Sequence, residues 1–160
     1  PLKAEYREDP GKAQLTLKAN GALGEGISCN VQTSKTLVEA GLHPATGGDG
    51  LFACSGDMLL ESLIACAGVT LQAVASALDI NVSGGTLSAE GDLDFRGTLG
   101  VDKEAPVGFK DIRLHFDLDT DADEAQLESL FKLTKRYCVV YQTLTSNPAV
   151  STTVSAKPTT

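Results

Sequence analysis

The apolar positions along this chain change rhythm several times. In the N-terminal third they recur every second residue, at Leu15 and Leu17 in AQLTLKA and at Ile27, Cys29 and Val31 in GISCNVQTSKTLV. A period of two puts alternate side chains on one face of a strand, so β-structure is predicted there. Gly11 after Pro10, and then Gly21, Gly24 and Gly26, mark the turns. A loop rich in glycine and proline, GLHPATGGDGLFACSGD, comes next. After it the alternation disappears: LLESLIACAGVTLQAVASAL, from Leu59 to Leu78, is apolar on nearly every side of a helix. That helix is predicted to open near Ser55, with the serine as N-cap and Asp57 in the first turn, and to run to about Leu78.

Alternation then returns. INVSGGTLSAEGDLDF and VGFKDIRLHFDLDT read as strands, the second with Ile112, Leu114, Phe116 and Leu118 on one face and Arg113, His115 and Asp117 on the other. TDADEAQLESLFKLTKRY has helical spacing, with Thr120 or Asp121 as its cap and Leu127, Leu130 and Phe131 inward. CVVYQTL reads as a further short helix starting near Cys138, and AVSTTVSA as a final strand. Segregated runs of strands and helices predict an α+β fold with a mainly antiparallel sheet, in one domain over residues 1–160. A helix that is apolar all round needs cover on every side, and one modest sheet covers one. A homodimer that buries two such helices together is the expected solution.

Composition narrows the classes. The chain is 160 residues long, with 42% hydrophobic and 21% charged residues, which is the balance of a globular protein and not of a disordered one. Its formal net charge of −8 repels phosphate backbones, so nucleic acid is not an expected partner. PLKAEYREDPGKAQ has no apolar targeting core, and Glu61, Ser62 and Gln72 interrupt the long apolar stretch. The cytoplasm is therefore the expected compartment, with no membrane partner.

Candidate chemistry rests on Cys29, Cys54, Cys66 and Cys138, which form no C-x-x-C pair. Each alone reads as a small buried hydrophobe, with a reactive thiol as the alternative. Cys138, near a helix N-terminus, has a dipole to support a thiolate. Cys66, mid-helix in apolar company, should have its pKa raised by desolvation. His43, Cys54, Cys66 and Cys138 lack the short separations of a structural zinc site, and no metal or cofactor is expected. His43 reads as a loop-shaping residue and His115 as a solvated one. GALGEGIS has no following helix with which to cradle a phosphate. Asp57 reads as a carboxylate on the helix dipole, and it precedes Cys66 by nine residues, on the opposite face of a straight helix.

Taken in order, GLHPATGGDG, SGDMLLESLIACAGVTL and RYCVVYQTL resemble the OsmC/Ohr family, named for osmotically induced protein C and organic hydroperoxide resistance protein. The resemblance covers residues 41 to 150. It implies an OsmC-like fold, with mainly antiparallel sheets around a long buried central helix, in an intertwined homodimer with sites at the subunit interface. It also implies a thiol-dependent peroxidase. Cys66, at the position of the helix cysteine, would attack an organic hydroperoxide, and Cys138 would resolve the sulfenic acid as a disulfide. Cys29 and Cys54 would stay free, and an unidentified thiol reductant would restore the pair. Asp57 takes the place of the family's glutamate, and Leu59, Leu63 and Val69 would wall an apolar cradle. The peroxidases use an arginine from the early strands. Residues 11 to 42 hold Lys12, Lys18 and Lys35 but no arginine, so Lys35, Arg7 or Arg136 must supply the cation. Arg136 is favoured because it neighbours Cys138. The competing reading is a non-enzymatic OsmC-like homodimer that binds a small apolar molecule and keeps its cysteines reduced.

Overall fold

The computed structural model describes residues 37–156 throughout, the backbone of Asn20–Leu23 and Ser28–Gln32, and residues 8, 14 and 16 singly. The alternation at Leu15 and Leu17, the turn glycines Gly11, Gly24 and Gly26, and the candidate cations Arg7 and Lys35 lie outside the described residues. The chain divides into two units, Pro1–Ser55 and Gly56–Thr160.

The first unit holds a four-stranded sheet in the order β1 (Asn20–Leu23), β2 (Ser28–Gln32), β3 (Leu37–Gly41) and β4 (Ala53–Cys54). β1, β2 and β3 run antiparallel, and β4 is parallel to β3. The segment GISCNVQTSKTLV is thus split between β2 and β3. Gly21 is not a turn residue: it pairs with Val31 inside β1, where the ladder of backbone hydrogen bonds outweighs its weak strand propensity. Between β3 and β4, Pro44–Thr46 form one 3-10 turn, and the Nδ1 of His43 accepts the Ala45 N–H at 3.0 Å. His43 therefore shapes the loop, as its sequence context indicates. The Gly47–Gly48 pair is a steric requirement. Gly47 adopts φ 92° to close the turn, and a Cβ on Gly48 would collide with the Leu42 carbonyl.

The long helix α1 spans Ser55–Leu78, with the bounds expected from the apolar run. It stops where Asp79 takes the left-handed φ of 55° and the Ile80 N–H turns back to the Ala75 carbonyl at 2.9 Å. β5 (Val82–Asp92) and β6 (Asp111–Thr120) form an antiparallel pair, connected through the short helix α2 (Phe95–Thr98). β6 alternates in burial along its whole length, with Ile112, Leu114, Phe116 and Leu118 inward. Arg113, on its outer face, bridges to Asp92 and Glu90 on β5, tying the two strands together. Helix α3 (Glu124–Tyr137) and helix α4 (Val139–Thr145) follow.

Two expectations are corrected. The cap of α3 is Asp123, not Thr120 or Asp121. The Asp123 carboxylate accepts the Gln126 N–H at 2.8 Å, and the Gln126 side chain accepts the Asp123 N–H at 2.9 Å. Thr120 is engaged elsewhere, as the last residue of β6 with its hydroxyl donating to the Asn81 carbonyl at 2.6 Å. The segment AVSTTVSA forms no strand, and Val150 and Val154 are both almost fully exposed. A strand needs a hydrogen-bonding neighbour as well as an alternating sequence, and no strand in the described part of this chain pairs with it.

The core gathers Leu71, Val74, Ala75 and Leu130 with Ile80, and Phe116 meets Phe131 edge-on at 5.2 Å. Helix α1 turns one stripe toward it: Leu63, Ala67, Leu71, Val74 and Ala75 are buried, whereas Val69 is 73% exposed and Leu59 37%. Among the described residues, the buried positions of the helix lie along one face. By length and composition it is also apolar enough to cross a membrane.

Leu130 has no exposed surface. Leu130→Ala should therefore cost about 2–5 kcal/mol of unfolding free energy in urea. Asp123→Ala should cost about 1 kcal/mol, and Asp121→Ala nearly nothing. A larger loss from Asp121→Ala would return the cap to that residue.

Candidate active site

Helices α3 and α4 are separated by a single residue. Cys138 adopts φ −71° and ψ 108°, an extended conformation that ends one helix and caps the next. Its N–H donates to the Thr134 carbonyl at 2.9 Å, its carbonyl accepts the Gln142 N–H at 2.9 Å, and its Sγ accepts the Tyr141 N–H at 3.5 Å. The Gln142 side chain donates to the Lys135 carbonyl at 2.7 Å, closing the junction from the other side. Cys138 is buried, with 1% of its surface exposed.

This junction meets the middle of α1 at Cys66, which is half-buried and unlinked, as Cys138 is. Burial alone pushes the Cys66 thiol up. The neighbouring Val140 N–H, Cys138 thiol, Thr70 hydroxyl and Val139 N–H oppose that rise, and their combined effect holds it below the ordinary cysteine value. Cys138 moves the other way. Burial pushes it up, the Tyr141 N–H opposes, and the neighbouring Cys66 adds to the rise. The result is an asymmetric pair, with Cys66 the better thiolate and Cys138 the retained thiol.

The pattern reverses the sequence-based expectation. The N–H groups that begin α4 serve Cys66 across the packing contact as well as Cys138 within its own turn. Among the described residues, no arginine is among the groups acting on Cys66. Arg136 lies in the last turn of α3, with its guanidinium carbon 5.8 Å from the Tyr137 ring centroid, while burial is the largest influence on Cys66 and the groups that oppose it are neutral. Asp57 stands exposed in the first turn of α1 and is not among the groups acting on Cys66. The structure thus brings Cys66 and Cys138 together and leaves Asp57 apart. Thr70 is the participant that sequence reasoning missed. Its signal was a hydroxyl four residues after Cys66 in an apolar run.

The remaining cysteines are positioned differently. Cys29 lies in β2 and Cys54 in β4, with β3 between them. Two strand spacings separate their backbones by about 9.5 Å. A disulfide spans at most about 7 Å between Cα atoms, so they cannot be joined without moving the sheet. Among the described residues no three His, Cys, Asp or Glu side chains gather as a metal site. His115 is exposed on the outer face of β6. A cavity of about 590 Å³ lies beside the cysteine pair, lined by Leu63, Phe116, Phe131, Thr134, Tyr141 and Leu144 among others, although neither cysteine reaches its wall. Of the three expected cradle residues, only Leu63 faces it.

A family profile described as OsmC-like protein matches residues 48–153. No curated protein matches the chain. Several solved structures share the fold. The OsmC-like protein from Mycoplasma pneumoniae superposes with a TM-score of 0.68 at 18% identity, covering 82% of this chain and 88% of that one. An organic hydroperoxide resistance protein from Elizabethkingia anophelis gives 0.66 at 14% identity, covering 84% and 91%. An organic hydroperoxide resistance protein OsmC from Legionella pneumophila gives 0.63 at 17% identity, covering 81% and 89%. At such identities the likeness is one of fold, and it agrees with the mixed helix and antiparallel-sheet architecture.

The pH dependence of alkylation should separate the two thiols. Because the Cys66 pKa is lowered and that of Cys138 raised, Cys66 converts to its reactive thiolate at lower pH. Alkylation of the intact protein, followed on separate peptides by mass spectrometry, should give a lower midpoint for Cys66 than for Cys138. Midpoints in the reverse order would contradict the assignment.

Proposed function

The chain belongs to the OsmC family, and from that membership we propose that it is a thiol-dependent peroxidase of organic hydroperoxides, with Cys66 as attacking and Cys138 as resolving cysteine. What supports the reading is that Cys66 on α1 and Cys138 at the α3–α4 junction lie close enough to act on each other's thiol, one lowered and the other raised, because catalysis of this kind needs one nucleophile and one proton-bearing partner.

The Cys66 thiolate attacks an oxygen of the hydroperoxide; a sulfur–oxygen bond forms, the O–O bond breaks, and an alkoxide leaves. Cys138, a near neighbour of Cys66, supplies the proton that turns the alkoxide into alcohol. The resulting Cys138 thiolate attacks the Cys66 sulfenic sulfur and expels hydroxide, which takes a proton to become water. An external dithiol then reduces the disulfide and is itself oxidised. Neutral donors suffice for the first step, since each hydrogen bond to a charged group contributes about 1.5–3 kcal/mol.

The apolar side of α1 left open in one chain is proposed to be covered by a second copy, in a cytoplasmic homodimer, with Leu59 and Val69 at or near that interface. The competing reading, a homodimer that binds a small apolar molecule with its cysteines reduced, draws on the cavity of about 590 Å³, whose aromatic and aliphatic wall, with Lys110, Asp111 and Lys135 also lining it, could hold such a ligand.

One equivalent of an alkyl hydroperoxide should consume two thiols per chain and link Cys66 to Cys138, leaving Cys29 and Cys54 free in peptide maps. Cys66→Ser should abolish peroxide consumption, and Cys138→Ser should trap a sulfenic acid that climbs to sulfinic acid in excess peroxide. No thiol loss in the wild-type protein would favour the binding reading. Sedimentation should show one species of twice the chain mass, and a stable monomer would remove the dimer.

A further inference from the structure

We propose that the cavity of about 590 Å³ is a binding site for an organic anion with an apolar body, a carboxylate held by the Thr134 hydroxyl together with Lys110 and Lys135; the inference rests on the competing reading of this cavity and not on the peroxidase. A hydroxyl within a helix ordinarily bonds back to a carbonyl of the preceding turn. Ser62 does so to Leu59 at 2.8 Å, Thr143 to Val139 at 2.8 Å and Thr145 to Tyr141 at 2.9 Å. Thr134 does not. It lines the cavity with 2% of its surface exposed, and its Oγ1 is buried with no hydrogen-bond partner. A buried hydroxyl in that state is rare, because it has given up water and gained nothing in return. The Thr134 carbonyl is already engaged, accepting the Cys138 N–H at 2.9 Å. The hydroxyl alone is left over, on a residue of the cavity wall.

The rest of the lining defines the molecule that would use it. Phe109 and Phe131, with Ile112 and Leu144, make most of the wall apolar, which suits an alkyl or aryl body, and the volume is that of a pocket for a small organic molecule. Charge decides the other end. The chain carries a net −8, yet two of the three charged residues lining this cavity are lysines, both exposed. The third, Asp111, is held by Arg113 at 2.6 Å, whereas neither lysine has an ion pair among the described residues. An uncharged hydrocarbon would leave the Thr134 hydroxyl unsatisfied, and a cation would meet two like charges. A carboxylate answers both, since its oxygens only accept hydrogen bonds and its charge offsets the ammonium groups. Neither cysteine lines the cavity, so the acid is held as a ligand and not as the peroxide to be reduced.

The probes are octanoate and octan-1-ol, titrated into the full reduced chain by calorimetry. Octanoate should bind at one site per chain and about tenfold more tightly than the alcohol. Each methylene removed on the way to hexanoate should weaken it about fourfold. Thr134→Val, which keeps the shape and removes the O–H, should weaken octanoate about tenfold, and Thr134→Ser should restore most of that loss. Lys110→Gln combined with Lys135→Gln should weaken octanoate about fivefold at low salt and leave octan-1-ol unchanged. Octanoate and octan-1-ol binding alike, with no response to these substitutions, would overturn the inference and leave the cavity as a site for uncharged apolar molecules. Equal weakening by Thr134→Val and Thr134→Ser would assign Thr134 to packing and overturn it too. No binding of either probe would remove the competing reading along with it. If Thr134→Val fails to fold, the double lysine variant, altered only at exposed positions, decides through the comparison of acid with alcohol.

Discussion

A sulfur in the middle of an apolar helix has every reason to stay protonated, because burial penalises the charge. What reverses that preference at Cys66 is a set of backbone donors released by a break in another helix. Were α3 to continue through Cys138, the N–H groups of Val139 and Val140 would turn to the carbonyls of Lys135 and Arg136 in the regular i to i−4 ladder. The extended conformation of Cys138 interrupts that ladder, and the Gln142 side chain takes the Lys135 carbonyl instead. The freed N–H groups are near enough to Cys66 to favour its thiolate. One backbone break thus caps a helix, places the second thiol and supplies the field that ionises the first.

The packing around the break holds that geometry. Leu63, one turn before Cys66, and Leu130, two turns before Cys138, are both buried, and the edge-on contact of Phe116 with Phe131 fixes α3 against β6. The paired strands β5 and β6 back this arrangement with an apolar face. A loosened core would therefore weaken the site before it unfolded the chain, since hydrogen bonds to sulfur fade quickly with distance and angle.

Much of this was legible from sequence. The alternation in DIRLHFDLDT gave the faces of β6, and the apolar run gave both ends of α1, because period and length are local properties. The cap of α3 was misplaced by two or three residues, since Thr120, Asp121 and Asp123 can all cap and only the strand's claim on Thr120 decides among them. The AVSTTVSA segment has a strand's pattern without a partner strand, and pairing is not written in one segment. The two cysteines could be picked out, but the sign of their perturbation could not. It depends on N–H groups 73 and 74 positions away in sequence lying beside Cys66.

The central claim, that N–H groups at the start of α4 ionise Cys66, is tested most directly by deleting one of them. Val139→Pro does so with little other disturbance: proline is favoured at the first position of a helix, Cys138 already has the extended conformation required before proline, and the Val139 side chain is 68% exposed. The account predicts a variant with wild-type helicity by circular dichroism and a Cys66 alkylation midpoint moved to higher pH. A folded variant whose midpoint stays at the wild-type value would contradict it.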